Sequence, residues 1–487
     1  MIEQNVKIHD KFSVEIKLGY ATKRSKKIND YSVDSWFFIP NSLDINRYTY
    51  GKEQFYNDLK TNIRFSTPIY LLRDIAQGDN TPFQYLEKAF NNAASEPIRK
   101  NKQKYEYHIK MFQSILKSSL RNEIQHIKTN IVEYDIHFLI QSYIKNASII
   151  TKRFRGLRRI INVPTITDEL MNYYFLADEF MSNILEQHTY YLLGYLKQVF
   201  PNDYRENKGD LLNLIHKEIQ YREQQKYPTV EKKSNDNNGS LVYRRGVLKK
   251  YIESLLFLST RKKKDGVFIE QISYSIAAGL SMIFATSIAF SFQQKFGNFT
   301  MPFFIALVIS YMLKDRIKEL MRYYLGGKLN KRLFDHKNAI AINKDTKIGW
   351  CKESFDYVTE EHTPKKVLEA RGRSAIMEVE NRGANESIVR YRKLLQINRD
   401  KLNTVYEHYR IVGITDVIRF NISSFIKNMD NPKIRVFYLD GDDYDSQKAD
   451  KLYYINLVMK LKYEESAIYK RYRIVFNRSG IKKVEQL

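Results

Sequence analysis

An uncharged stretch in the middle of the chain, residues 272–292, reads ISYSIAAGLSMIFATSIAFSF. Its 21 residues, folded as an α-helix, extend about 31 Å, which matches the hydrocarbon core of a lipid bilayer. A second uncharged run, residues 296–313, follows after three residues and extends about 27 Å as a helix. We therefore predict a transmembrane helical hairpin over residues 267–313. The alternative is a pair of buried helices in a soluble protein, although such helices usually carry a polar face.

Basic residues stand on both sides of these two runs, whereas the turn between them holds only Lys295. Positively charged flanks stay in the cytoplasm. The pattern therefore predicts a multi-pass protein of the plasma or inner membrane with both termini cytoplasmic. The predicted membrane-interface residues of the two flanks are Arg261, Lys262, Lys263, Lys264, Lys314, Arg316, Lys318 and Arg322.

Residues 241–266, just before the first run, are predicted to form a basic amphipathic juxtamembrane helix. Apolar residues recur there at helical spacing. The opposite side of this helix carries further predicted membrane-interface residues, namely Arg244, Arg245, Lys249 and Lys250. Two interpretations stay open: the helix lies on the anionic inner leaflet, or it docks on a soluble domain of its own chain.

The outer parts of the chain contain patterns typical of both helices and strands. Alternating apolar residues predict a strand over residues 6–18 that forms an N-terminal hairpin with a second strand near residues 31–39, and further strands near the C-terminus that join it in one sheet. Residues 386–398 follow helical spacing. Between Thr167, a favourable helix start, and Pro201, the spacing predicts one helix of about 30 residues. The polar stretch EKKSNDNNGS predicts a linker.

The predicted fold class is an α+β membrane protein. In it, the two-helix transmembrane hairpin separates an N-terminal strand-hairpin and helical region from a C-terminal helix and antiparallel-sheet region. The predicted regions are a strand hairpin (1–65), a helical cytoplasmic domain (66–230), the linker (231–240), the juxtamembrane helix (241–266), the transmembrane hairpin (267–313), a cytoplasmic helix extension (314–335) and a C-terminal cytoplasmic α+β domain (336–487).

The composition excludes several classes of protein. The chain has 487 residues, of which 43% are hydrophobic, so it is neither mainly disordered nor collagen-like. Its single cysteine, Cys351, excludes an internal disulfide framework and any multi-cysteine metal site. The formal net charge is +25, which favours anionic partners such as lipid headgroups or nucleic acid.

The sequence contains no GxSxG, HExxH or GxxxxGK[ST] motif. Three weak candidates for chemistry are better explained as structural. Glu15-Ile16-Lys17 resembles part of a nuclease site without its further acidic ligands. The acidic loop Asp440–Asp445 departs from EF-hand spacing, and the acidic residues near Glu186 and His188 lack the spacing of a di-metal site and are read as a solvated helix face. We predict no catalytic residue, no metal and no cofactor.

A basic run, KRFRGLRR, is the strongest candidate for phosphate or lipid-headgroup contact outside the membrane flanks. Three interpretations stay open: a solvated helix face, a surface for the inner leaflet or an acidic partner, and a nucleic-acid surface without a known module. Its cations are Lys152, Arg153, Arg155, Arg158 and Arg159.

Together these patterns predict an integral membrane protein with large cytoplasmic regions that acts as a non-catalytic scaffold, sensor or effector at the inner leaflet. One alternative is an oligomeric channel or membrane-permeabilising effector. Another is a membrane-tethered nucleic-acid-binding protein. The expected partners are a bilayer with an anionic inner leaflet and a second copy of the chain, with nucleic acid less favoured.

Overall fold

The chain folds into two compact units. The sheet unit comprises Met1–Ile63, Leu258–Leu402 and Ile414–Leu487, and the helical unit comprises Arg64–Phe257 and Asn403–Gly413. A computed structural model describes residues 2–23, 25–78, 81–129, 133–164, 166–232, 234–298, 300–330, 333–342, 346–372, 386–403, 408–409 and 411–487.

The strands form three separate sheets. Within the described residues, one sheet has eight strands in the order β14-β13-β12-β3-β8-β7-β6-β5, a second has four in the order β1-β2-β9-β4, and β10 pairs with β11 alone. Their bounds are β1 Ile2–Asp10, β2 Ser13–Ala21, β3 Ile28–Ile39, β4 Leu59–Phe65, β5 Ser259–Lys264, β6 His336–Ile342, β7 Thr346–Val358, β8 Ser387–Asn398, β9 Gly413–Asn421, β10 Lys433–Asp440, β11 Asp443–Asp450, β12 Tyr453–Tyr463, β13 Ser466–Asn477 and β14 Gly480–Gln486.

The helices differ greatly in length, and the longest lie in the middle of the chain. Their bounds are α1 Lys52–Asp58, α2 Leu72–Gln77, α3 Pro82–Ser95, α4 Arg99–Thr129, α5 Glu133–Gly156, α6 Arg158–Ile161, α7 Asp168–Val199, α8 Pro201–Gln224, α9 Asn235–Glu253, α10 Val267–Phe296, α11 Met301–Asn330, α12 Lys365–Arg371, α13 Arg399–Asn403 and α14 Ser423–Ile426. The predicted long helix after Thr167 is confirmed, because α7 has 32 residues and ends just before Pro201.

Strand β3 is the centre of the eight-stranded sheet. Its apolar end, residues 35–39, is buried throughout, as expected for a strand covered on both faces. β3 pairs with β12 on one side and with β8 on the other. The predicted sharing of one sheet by strands from the two terminal regions is therefore confirmed. Trp36 and Phe38 pack in a core cluster with Val367 and Val458.

Two local predictions near this sheet are wrong. Residues 386–398 form strand β8, not a helix, and alternate residues such as Val389 and Tyr391 are buried because the pleat turns them inward. The N-terminal hairpin consists of β1 and β2, while β3 belongs to another sheet. The chain reverses after Asp10, whose carboxylate accepts a hydrogen bond of 2.9 Å from the backbone N–H of Phe12.

The segment before α10 also differs from its prediction. Helix α9 begins inside the predicted linker and ends at Glu253, so no single helix covers residues 241–266. After a 3-10 turn at Ser254–Leu256, residues 259–264 form β5. This segment is a strand because it pairs with β6, from Ser259 opposite Ala341 to Lys264 opposite His336.

The prediction of a two-helix transmembrane hairpin is wrong. Among the described residues, α10 alone is long and apolar enough to cross a membrane by length and composition. Helix α11 begins at Met301, so only its first 13 residues precede Lys314, and they extend about 20 Å, which is too short for a bilayer core. The fold class is a mixed protein of helices and large sheets with one long apolar helix, in place of the predicted α+β arrangement around a two-helix transmembrane hairpin. Helix α11 also continues through Gly326 and Gly327 to Asn330.

Candidate functional site

Helix α10 has two unlike faces. Small residues four positions apart, Ser273, Ala277, Ser281 and Ala285, are its buried positions. Small side chains allow two helix backbones to approach closely, and α10 packs along α11. The sequence pattern of small residues thus marks the face of α10 that contacts α11.

The other sides of α10 expose large apolar side chains over the length of the helix. Contiguous exposed apolar surface on a folded protein usually marks a site that contacts a partner or a membrane. The large apolar residues exposed on α10 are Val267, Phe268, Ile269, Ile272, Ile276, Leu280, Met282, Ile283, Phe284, Phe290, Phe292 and Phe296.

Basic residues lie at the base of α10, on the strand that leads into it. β5 is the edge strand of the eight-stranded sheet, and Arg261 to Lys264 are exposed along it. Lys264 pairs with Glu270 at 2.8 Å, and the Lys262 ammonium lies 4.7 Å from the ring centroid of Tyr56. These cations are held at the surface and not drawn into the core.

The predicted interface residues of α11 make contacts within the helix pair. Lys314 lies 3.7 Å from the ring centroid of Tyr311, and Arg322 lies 5.2 Å from that of Tyr274 on α10. Exposed pairs of this kind contribute little to stability. Two further cations pair with acidic residues of the same helix, Arg316 with Glu319 at 3.4 Å and Lys318 with Asp315 at 4.0 Å.

The cations predicted on the juxtamembrane helix divide into two pairs. Arg244 makes a two-pronged contact with Glu179 of α7, with both nitrogen–oxygen distances at 2.7 Å. Arg245 contacts Asn183 at 3.0 Å and Glu186 at 2.9 Å on the same helix. Lys249 and Lys250 are exposed on α9. This placement corresponds to the interpretation of a helix docked on its own domain.

Three of the five cations of KRFRGLRR make contacts inside the helical unit. Arg155 binds Glu218 through two hydrogen bonds of 3.1 and 2.7 Å. Arg153 donates a hydrogen bond of 2.6 Å to the backbone carbonyl of Ala76. Arg158 donates one of 3.1 Å to Gln225. Lys152 and Arg159 are exposed. The structure brings these residues together as packing contacts, which reduces the basic surface available for phosphates.

A row of buried polar residues on α7 provides the partners of Arg155, Arg244 and Arg245. The sequence analysis did not predict this row. The row consists of Asp178, Glu179, Asn183 and Glu186, all buried, where the sequence predicted a solvated face. Arg222 of α8 is fully buried and contacts Glu186 at 2.8 Å. Burial raises the pKa of Asp178, although nearby Arg155 and hydrogen bonds from two tyrosines act in the opposite direction.

The sheet unit buries a second charged cluster. Lys393 of β8 is 1% exposed. Its ammonium lies 3.0 Å from a carboxylate oxygen of Glu353 and also pairs with Asp416. Tyr391 donates a hydrogen bond of 2.9 Å to Glu353. Burial pushes the pKa of Glu353 upward, but attraction to Lys393 and the hydrogen bonds from Lys393 and Tyr391 act together to lower it overall. Cys351 lies beside this cluster, and burial raises the pKa of its thiol well above the usual value.

The weak candidates for chemistry are structural where the structure describes them. Glu15 pairs with Lys7 and Arg419, each at 3.3 Å, so its carboxylate is balanced by two cations. Asp440–Asp445 forms the tip of the hairpin of β10 and β11. No group of three or more His, Cys, Asp or Glu within the described part of the chain is arranged to hold a metal ion.

The exposed apolar surface of α10, together with the basic residues of β5 that precede it, thus gives the strongest indication of a function. The two buried charged clusters consist of ion pairs among their own members. Comparison with family models, with curated proteins and with solved structures gives no match, so the chain is assigned to no family.

Proposed function

We propose that this protein is a membrane-attached, non-catalytic scaffold or sensor that enters the lipid bilayer through α10. The observation that carries the proposal is the apolar surface of this 30-residue helix, on which twelve large aliphatic or aromatic side chains are exposed among a smaller number of polar residues. Exposing such a surface to water costs about 25 cal/mol per Å², which lipid contact removes.

The pairing of β5 with β6 supports attachment from one side. β5 leads into α10, and β6 follows α11. Because these two strands are hydrogen-bonded to each other, the chain enters and leaves the helix pair at the same sheet edge. We propose that this edge faces the cytoplasmic leaflet, where anionic headgroups attract the exposed Arg261 and Lys263.

A flotation experiment tests the attachment. The full chain is mixed with vesicles of phosphatidylglycerol and phosphatidylethanolamine and centrifuged through a density gradient. We expect wild type to float and the variant Leu280→Lys/Ile283→Lys to stay at the bottom, because each lysine at the centre of a lipid-embedded helix costs about 3 kcal/mol. Ile69→Lys/Tyr48→Lys, at exposed apolar residues outside α10, is the matched control.

The variant Arg261→Gln/Lys263→Gln tests how much the basic residues of β5 contribute to vesicle binding. Loss of two surface cations is expected to weaken binding to anionic vesicles, by about 1 kcal/mol per residue, and to leave binding to phosphatidylcholine vesicles unchanged. If wild type is recovered at the bottom of the gradient with vesicles of every composition, membrane attachment is disproved.

A further inference from the structure

The hairpin of β10 and β11 is a separate structural element of the sheet unit. Among the strands that the structure describes, it pairs with neither of the two larger sheets. Every residue of β10 is exposed, and so are most residues of β11. An isolated two-stranded hairpin is at best marginally stable in water. An arm of this kind therefore gains stability when another surface covers it.

The base of the arm is well anchored. The backbone N–H of Lys451 donates a hydrogen bond of 2.9 Å to the carbonyl of Pro432, and the Lys451 side chain pairs with Asp430. Asp450 at the end of β11 pairs with Lys482 of β14 at 3.3 Å. These contacts fix where the arm leaves the sheet unit, so its tip is presented at a defined position.

The tip carries three apolar side chains on one face. Leu439 stands directly opposite Tyr444, and the ring of Phe437 lies 6.1 Å from that of Tyr444. The exposed fractions are 61% for Phe437, 86% for Leu439 and 68% for Tyr444. Large aromatic and aliphatic side chains clustered at one point are the usual anchors of a protein–protein contact.

The charge of the tip indicates what kind of surface it contacts. Residues 437–446 include four aspartates and no basic residue, in a chain whose net charge is +25. Lipid headgroups and nucleic acid are anionic and are repelled by this tip, whereas a basic protein surface attracts it. The remainder of this same chain carries the excess of positive charge that such a surface requires.

We propose that the tip of the β10–β11 arm docks on a basic surface of a second copy of this chain, with Phe437, Leu439 and Tyr444 buried at the centre of the contact. The contact is heterologous, because two acidic tips repel each other. The apolar residues anchor the contact, and the aspartates select the basic partner and increase the rate of encounter. This inference is independent of α10 and of membrane attachment.

The mass of the full chain in a mild detergent, measured by light scattering over a range of protein concentrations, tests the contact. We expect wild type to self-associate at about 50 mM salt and to dissociate at about 500 mM, because salt screens the acidic tip. The charge variant is Asp440→Lys/Asp442→Lys, since Asp443 and Asp445 accept backbone hydrogen bonds within the hairpin. The apolar variant is Phe437→Ser/Leu439→Ser.

Both variants are expected to raise the dissociation constant at least about tenfold, because each removes an anchor or a charge pair. Glu223→Lys/Glu465→Lys makes the same change in net charge at exposed sites away from the arm and is expected to associate like wild type. A wild-type chain that stays monomeric at all concentrations overturns the proposal. Equal association of wild type and both arm variants also overturns it, because another surface, such as α10, then holds the copies together.

A crosslinking experiment locates the partner surface. Asp442→Cys places a thiol at the tip, and the native Cys351 is buried, so a photo-crosslinker attaches at one site. Crosslinks from the tip to basic segments of another copy support the proposal. Crosslinks only within the same copy, or to the detergent alone, contradict it.

Discussion

The two units hold charges in their interiors in different ways. In the sheet unit, Lys393 is enclosed between the carboxylates of Glu353 and Asp416 and is 1% exposed. In the helical unit, the acidic residues of α7 are paired with arginines of graded exposure, from Arg222, which is fully buried, to Arg244 at the rim, which is 48% exposed. An enclosed charge depends wholly on its partners, whereas a charge at the rim can exchange them for water. The comparison predicts different costs for removing apparently similar ion pairs.

The largest effect is expected for Lys393→Met. The substitution leaves two buried carboxylates without a cation, which destabilises the sheet unit by about 4 kcal/mol. Urea unfolding followed by tryptophan fluorescence measures this loss, because both tryptophans, Trp36 and Trp350, lie in the sheet unit. The double variant with Asp416→Leu is expected to recover much of the loss. A single variant within 1 kcal/mol of wild type would mean that the carboxylates take up protons at little cost.

Arg222→Met is expected to have a smaller effect, although this arginine is fully buried. Glu186 keeps a second cation, because Arg245 contacts the same carboxylate oxygen at 2.9 Å. We expect a loss of about 2–3 kcal/mol, below the full cost of an unpaired buried charge. Hydrogen exchange in α7 and α8 measures it. A loss larger than that of Lys393→Met would contradict the ranking of the two units.

Acid is expected to weaken the helical unit first. Burial lowers the pKa of His108 and of His188 from 6.5 to about 4. Between pH 6.5 and 4, these two imidazoles therefore bind protons in the unfolded chain but not in the folded unit. The free energy of unfolding of the helical unit falls as the pH drops through this range. At pH 5.5 each of the two histidines lowers the free energy of unfolding by about 1 kcal/mol. Hydrogen exchange at pH 7 and 5.5, after correction for the intrinsic rate, shows this loss, and His108→Gln is expected to remove its share.

The sheet unit is expected to respond less over the same range. The lowered pKa of Glu353 contributes stability that is lost only as pH falls below the usual carboxyl range. Acid has the opposite effect through Asp416, because burial raises the pKa of this carboxyl group and its protonation then favours the folded state. The two carboxyl groups partly offset each other. An equal loss of stability of the two units between pH 7 and 5.5 would contradict this expected difference.

The smallest effect is expected for Arg244→Ala. Its contact with Glu179 is two-pronged, but water reaches the guanidinium and screens the pair. We expect less than about 1 kcal/mol in the free energy of unfolding of the helical unit. Thermal unfolding followed by circular dichroism measures it, with Lys250→Ala as the control on the same helix. A loss of stability comparable to that of Arg222→Met would show that the exposed fraction of an arginine does not decide how much stability its removal costs.

Features with a strong local pattern could be predicted from the sequence. Helix α7 follows from apolar spacing over nine turns and from the signals at Thr167 and Pro201. Strands β12 and β13 follow from their alternation of apolar and polar residues. In each case one segment contains the whole pattern, so no distant partner is needed to recognise it.

Features that depend on distant partners could not be predicted. Strand β8 has apolar residues at both helical and strand spacing, and its pairing with β3 and β7 decides between them. The burial of Asp178 and Lys393 likewise depends on cations and carboxylates from other elements. The extent of α11 differs from the prediction because the second uncharged run begins at Phe296, the last residue of α10, whereas α11 itself begins at Met301.

The pairing of β3 with β8 has a consequence during synthesis on the ribosome. About 350 residues separate the end of β3 from the start of β8, which at 5–20 residues per second is a delay of roughly 20–70 s. During that time the segment SVDSWFFI leaves the ribosome without either of its neighbouring strands. The nascent chain therefore has to keep this aromatic segment away from other nascent chains, and chaperone binding near residues 35–39 is expected to set the yield of folded protein.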